Sequence, residues 1–357
     1  MQEPLNVSDF ERLAEAALEP GAFGYFAGGA DDERCLRDNV EAWRRLRLRP
    51  RVLVDVGATT AATTVLGTPV SMPLLVAPTA FHRMVHPDGE PATARAAAAA
   101  GTIMCLSTLA TSGPAEVAAA APGAPRWFQL YVFRERAVSL SFVEQAVEAG
   151  FEAIVLTVDA PRFGRRERDL RTGFRIPEDV VVPSVAAAMG AWHGATPLDA
   201  LSRIDPTLSW RDLERLVADA QLPVVVKGIQ TAEDAVLAVE HGVDAIVVSN
   251  HGGRQLDAVA PTAALLPEIV EAVAGRIEVY VDGGIRRGAD VVAALALGAR
   301  AVLVGRPVLW GLAHGGEAGA TRVLELLRDE IELALALCGC PSPDAVTPAH
   351  VSRIVGP

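Results

Sequence analysis

The chain is almost without lysine. Of its 32 basic residues one is lysine, Lys227, and the other 31 are arginine. Tyrosine is nearly as scarce, at Tyr25, Tyr131 and Tyr280, and aromatic residues make up only 5% of the chain. Acidic residues outnumber basic ones by 44 to 32, a net charge of −12. That balance argues against a sequence-independent grip on nucleic-acid phosphate and against a polybasic contact with an anionic membrane. The four cysteines, Cys35, Cys105, Cys338 and Cys340, have neither zinc-site spacing nor a Cys-x-x-Cys redox pair. We expect buried thiols in a reducing compartment, and no metal. No apolar run approaches the ~20 residues that span a bilayer. The N-terminus is polar and acidic, without the cationic and then apolar segments of a secretory leader. A cytoplasmic location with no membrane contact is therefore expected. No Gly-x-Gly-x-x-Gly follows the first apolar run, which weakens a doubly wound dinucleotide fold.

What is present is apolar mass. Half of the 357 residues are hydrophobic and 21% are charged, which suits a large core rather than disorder. Residues 1–60 read as helical. Ser8 to Glu11 has the form of a capping box, Pro20-Gly21 ends the first helix, and a second runs from about Asp31 to Trp43. Eight short apolar runs follow, at 73–78, 102–108, 126–132, 153–159, 222–228, 245–250, 278–283 and 301–306. They are continuous rather than alternating, as for parallel strands buried on both faces, and the stretches between them carry helical spacing. The pattern predicts a (β/α)8 barrel over 61–357 with an N-terminal helical segment, 1–60, packed against it. One connection, about 160–207, far exceeds the usual ~2–6 residues. With Pro, Gly, Ser and Trp192, it reads as a mobile flap over the barrel mouth.

In such a barrel the active site lies at the C-terminal ends of the strands, and here the runs end on polar residues. They are Thr79, Ser107, Gln129 and Tyr131, Thr157 and Asp159, Lys227, Ser249 to His251, Asp282 to Gly284, and Gly305-Arg306. Together they point to a ligand pocket. The glycines and arginines after runs seven and eight suit a phosphate, for which that is the common position. His251, three residues before Arg254, suits proton transfer beside an anionic substrate. Asp159 could stabilise an imidazolium across the mouth. Arg162, Arg165 and Arg168 read as a solvated loop face. Two roles suit Lys227, a fixed cation beside an electron-accepting ring or a Schiff-base nucleophile.

Several motifs carry a specific resemblance: SNHGGRQLD (249–257), TVDAPRFGRRERDLR (157–171), QLYV (129–132), APTA (77–80), VKG (226–228), DGGIRRG (282–288) and GRP (305–307). The chain resembles the FMN-dependent 2-hydroxy acid oxidases and dehydrogenases, the glycolate oxidase and lactate oxidase group. The likeness runs from GYFAGGA (24–30) to ELALALCGC (332–340). It implies a barrel that oxidises an (S)-2-hydroxy acid to the 2-oxo acid, with FMN as cofactor. It implies that His251 is the base, paired with Asp159, which favours its protonated form. Arg166 and Arg254 would hold the substrate carboxylate, while Tyr25 and Tyr131 bond the carboxylate or hydroxyl. Lys227 would sit where negative charge develops on the flavin. Thr79, Ala80, Ser107, Gln129, Thr157 and Ser249 would contact the flavin ring or ribityl chain, Asp282 the ribityl hydroxyls, and Gly283, Arg286, Gly305 and Arg306 the phosphate region. The resemblance also suggests a homotetramer.

Two departures bear on the substrate. Leu109 stands where short-chain oxidases of this group commonly have Trp, and Phe81 where Met is common. A roomier pocket with an aromatic wall favours an aryl substrate, mandelate or 4-hydroxymandelate, over glycolate. The long loop lacks the apolar insertion of the membrane-bound mandelate dehydrogenase, and no haem domain precedes the barrel, so O2 is the expected electron acceptor. The alternatives are a dehydrogenase using another acceptor, a Schiff-base aldolase built on Lys227, and a non-catalytic phosphate-ligand barrel.

Overall fold

Residues 3–177, 180–183, 186 and 203–353 are described in a computed structural model. Eight parallel strands form a closed barrel: β1 Leu74–Val76, β2 Met104–Ser107, β3 Arg126–Leu130, β4 Ala153–Thr157, β5 Val224–Ile229, β6 Ala245–Val248, β7 Glu278–Asp282 and β8 Ala301–Val304. Each pairs with the next in the chain, and β8 returns to β1 with Leu303 opposite Leu75. Seven lie within the apolar runs of the sequence, and β5 passes the end of its run by one residue, Ile229.

The runs are continuous because both faces of the strands are covered. Leu75, Cys105, Trp127, Val155, Val225 and Val247 pack inside the barrel, while Leu74, Val76, Leu106, Phe128 and Leu156 face the surrounding helices. Tyr280 belongs to the interior layer and is fully buried. Its hydroxyl donates to Glu278 Oε2 at 2.6 Å, so the third tyrosine has no part in the mouth. A hairpin of Thr63–Val65 and Thr68–Val70 sends Val65 and Val70 into that same layer. Its strands, TTV and TPV, contain no continuous apolar run, so no pattern marks them in the sequence.

Three helices precede the barrel: α1 Val7–Ala17, α2 Pro20–Ala27 and α3 Arg34–Arg44. The cap of α1 is Asn6, whose side chain accepts from Asp9 N at 3.1 Å, not Ser8. Asn and Ser are equally good caps, so composition alone does not rank them. Pro20 opens α2 rather than merely closing α1, since proline at the first helical position loses no hydrogen bond. Helix α3 starts at Arg34, three residues later than expected, because Glu33 is left-handed at φ 58°.

The helices are tied to the strand ends. Trp43 Nε1 donates to Gly283 O at 2.8 Å, and Asn39 and Asn250 exchange two amide hydrogen bonds of 2.9 Å. A strand at Leu46–Leu48 pairs antiparallel with Val351–Arg353. The expected flap is described only in part. It includes a short helix, Glu167–Thr172, and Trp192 lies outside the described residues. The four cysteines are buried and unpaired.

Candidate active site

The C-terminal ends of the strands surround one cavity. Strand registers hold its polar groups level, with Ser107 opposite Gln129 and Thr157 opposite Lys227. From the N-terminal side Tyr25 enters. The turns after β1 and β2 bring Thr79, Ala80 and Leu109; β3 to β5 bring Gln129, Tyr131, Thr157, Arg166 and Lys227; β6 to β8 bring His251, Arg254, Asp282, Gly283, Arg286, Gly305 and Arg306.

Three expected residues do not line it. Ser249 lies beneath, accepting from Lys227 Nζ at 3.0 Å and from His251 N at 3.1 Å. Asp159 lies behind His251. Phe81 is a correction, because it faces away from the substrate space. It is fully buried behind Tyr25, ring centroids 5.8 Å apart, with a left-handed φ of 60° that turns its side chain back into the core. The aromatic wall is instead Phe163, with the Arg166 guanidinium 4.9 Å over its ring. Its place in a loop rich in arginine hid it. Arg162, Arg165 and Arg168 themselves are exposed, as expected, with Arg168 paired to Glu33 at 2.6 Å and Arg165 to Glu167 at 3.2 Å.

His251, Asp159 and Lys227 form an electrostatic unit. His251 Nδ1 lies 2.8 Å from Asp159 Oδ1, which leaves Nε2 for the cavity. Burial pulls the imidazole below its ordinary pKa; Asp159 opposes this and Lys227 adds to it. The ring is thus held neutral near pH 7 and can accept a proton. Burial pushes Asp159 upward, but His251 and Lys227 outweigh it and keep the carboxylate ionised. Burial would also discharge Lys227, yet Asp282 and Asp159 hold it above its ordinary value. Its Nζ is 3.3 Å from Asp282 Oδ2. Gly228 permits this crowding, because at φ 114° a Cβ there would lie 2.7 Å from Asp159 Cβ.

Four arginines converge on the same space. Arg254 Nη1 donates to the carbonyls of Tyr25 at 2.7 Å and Gly28 at 3.0 Å, and its guanidinium sits 4.9 Å over the Tyr25 ring. Burial, with repulsion from Arg166, lowers its pKa to about 10. Arg306 donates to the carbonyls of Phe26, Gly252 and Gly28. Burial and then Arg254 and Arg286 push its pKa well down. Arg286 is half-buried and donates Nη1 to Ile285 O at 2.9 Å. Mutually repelling guanidiniums in a buried space are matched to anions, here one near Arg166 and Arg254 and another near Arg286 and Arg306.

Further groups wait for a polar ligand. Gln129 Nε2, Thr157 Oγ1, Asp282 Oδ1 and Arg166 Nε are buried without a hydrogen-bond partner, at about 1–3 kcal/mol each if left so. A polar ring with a hydroxylated, phosphorylated tail satisfies such a set, so the residues fit FMN.

This is the strand-end site of a flavin-dependent oxidoreductase acting on a small carboxylic acid. The model of the FMN-dependent dehydrogenase family matches residues 14–353, and the chain belongs to that family of 2-hydroxy acid oxidases, with FMN as its cofactor. Glycolate oxidase 1 of Zea mays is 50% identical over 356 residues, 98% of this chain and 96% of that protein. A peroxisomal (S)-2-hydroxyacid oxidase of Arabidopsis thaliana is 49% identical, covering 98% of this chain and 97% of its own. A solved structure of mandelate oxidase with (S)-4-hydroxymandelic acid superposes with a TM-score of 0.91 at 44% identity, covering 98% of each chain.

Proposed function

We propose that the protein oxidises an (S)-2-hydroxy acid with an aryl side chain, mandelate or 4-hydroxymandelate, to the 2-oxo acid, and that O2 takes the electrons to give H2O2. The observation that carries this is one cavity in which the His251–Asp159 pair meets Arg166, Arg254 and Tyr131, beside a wall of Leu109 and Phe163. Arg166 and Arg254 bind the carboxylate. Tyr25 and Tyr131 bond the carboxylate or the hydroxyl. His251 Nε2 accepts the proton that leaves the substrate, and Asp159 stabilises the resulting imidazolium. Bound FMN supplies the acceptor for the two electrons. Lys227 holds a fixed positive charge where negative charge grows, so no reorganisation accompanies the reaction.

Glycolate oxidases share more sequence with this chain, yet Leu109, in place of the group's common Trp, leaves room for a ring. The Schiff-base aldolase reading conflicts with Lys227, since attack on a carbonyl needs a neutral amine and Asp282 and Asp159 keep this one charged. A homotetramer in the cytoplasm completes the reading, and light scattering tests the assembly. The deciding experiment compares kcat/KM for (S)-mandelate and glycolate while measuring H2O2. Preference for mandelate with stoichiometric peroxide supports the proposal. Preference for glycolate refutes the substrate, and turnover only with an artificial acceptor makes the protein a dehydrogenase.

A further inference from the structure

We propose that His82 is a positioning residue for the cofactor: its Nε2 takes the Thr79 hydroxyl proton, so that Thr79 meets bound FMN as a hydrogen-bond acceptor. His82 stands on the turn after β1 and is 1% exposed. Its Nε2 lies 2.5 Å from Thr79 Oγ1 and its Nδ1 2.9 Å from Thr93 Oγ1.

A neutral imidazole has one N–H, and its position decides the direction of every proton in the chain. With the proton on Nδ1, Thr79 donates to Nε2, Nδ1 donates to Thr93, and Thr93 donates on to Gly89 O, 3.5 Å away. Every donor is used. With the proton on Nε2, Thr93 turns to Nδ1, its side-chain bond to Gly89 O is given up, and the Thr79 hydroxyl proton has no other acceptor among the described residues. The first arrangement keeps one more hydrogen bond. Burial holds the ring in its neutral form against the pull of Glu90.

The frame around this relay is rigid. Fully buried Glu90 accepts from His82 N at 3.0 Å, Thr111 N at 2.8 Å and Thr111 Oγ1 at 2.5 Å. It thereby fastens the turn after β1 to the turn that carries Leu109. On the other side the Thr79 methyl abuts Gly305, where a Cβ would lie 2.9 Å from Thr79 Cγ2. Methyl and hydroxyl are both committed, and Thr79 still lines the cavity. Its oxygen keeps a lone pair and no proton for a ligand. A flavin ring gains an N–H when it accepts two electrons, so an acceptor matches the reduced form better than the oxidised one. The His82–Thr79 pair therefore raises the tendency of the bound cofactor to be reduced.

The test is a spectroelectrochemical titration of the FMN-loaded enzyme and its variants. His82→Leu and Thr79→Val should each shift the two-electron equilibrium several-fold to tenfold toward the oxidised form, tenfold being about 30 mV. His82→Gln should keep the wild-type potential, because its amide offers oxygen to Thr79 and nitrogen to Thr93. Adding His82→Leu to Thr79→Val should give no further shift, the mark of two residues acting through one contact. An unchanged potential in Thr79→Val overturns the proposal, and decides it even where His82→Leu fails to fold. So does an additive double variant, or a His82→Gln shift as large as that of His82→Leu.

Discussion

Replacing Lys227 by Met removes the chain's only lysine from the centre of the site. Nζ is 3.3 Å from Asp282 Oδ2, a separation at which unit charges interact by roughly 5 kcal/mol at an effective dielectric of 20. Loss of one partner from a buried pair costs about 3–5 kcal/mol of stability. The kinetic effect is separate. A preorganised charge aimed at developing negative charge contributes about 10²–10³ in rate, so substrate-driven flavin reduction should slow by that factor. The assay is anaerobic stopped-flow bleaching of the flavin by saturating (S)-mandelate, with bound FMN quantified beforehand. A second readout comes from His251. Lys227 lowers the imidazole's pKa, so its removal raises that pKa and moves the acid limb of kcat/KM to higher pH. Reduction within a few-fold of wild type in FMN-replete Lys227→Met, with the acid limb unmoved, would refute the assigned role.

The other expectations concern the base, the pocket and the backbone. In the wild type, kcat/KM should fall as pH drops through a His251 pKa below the ordinary value of about 6.5, because the protonated ring cannot accept. Asp159→Asn removes the charge that raises this pKa, so the acid limb should move lower still while turnover falls about 10²–10⁴-fold; a limb displaced upward contradicts the pairing. Leu109→Trp should move the kcat/KM ratio toward glycolate by about 1–3 kcal/mol, as measured with both substrates side by side. Gly253→Ala places a Cβ 2.6 Å from Leu36 N at a φ of 75°, and should lower stability by about 1–3 kcal/mol, read from thermal unfolding.

Most of this site was legible because the strands are buried on both faces. Their apolar runs end abruptly, and the ends expose which polar residues share a layer. Long-range partners were not legible. Nothing near Arg254 or Arg306 in the chain announces that the carbonyls of Tyr25, Phe26 and Gly28 orient their guanidiniums. Nor does local composition reveal that Phe81 turns inward, since a left-handed φ at a non-glycine residue is a product of packing. Phe163 was missed for the opposite reason, an aromatic placed among charges that suggested solvent. Asn6 displaced Ser8 as a helix cap by an energy difference too small for a pattern to resolve.

The imbalance between arginine and lysine follows from how many acceptors each location provides. A guanidinium carries five N–H groups in a planar fork, and an ammonium carries three on a point charge. At the rim, Arg306 finds three backbone carbonyls and Arg254 two, with donors left over for phosphate or carboxylate. Inside the barrel at the end of β5, the acceptors recorded for Lys227 are Ser249 Oγ and one oxygen of Asp282. An arginine there would bury N–H groups without partners, at about 1–3 kcal/mol each, in a layer already filled by Cys105 and Val225. The ammonium commits two donors to those neighbours and keeps one for the ligand. Lys227→Arg should accordingly preserve the charge and still lose FMN affinity or reduction rate, which separates the requirement for a cation from the requirement for a compact one.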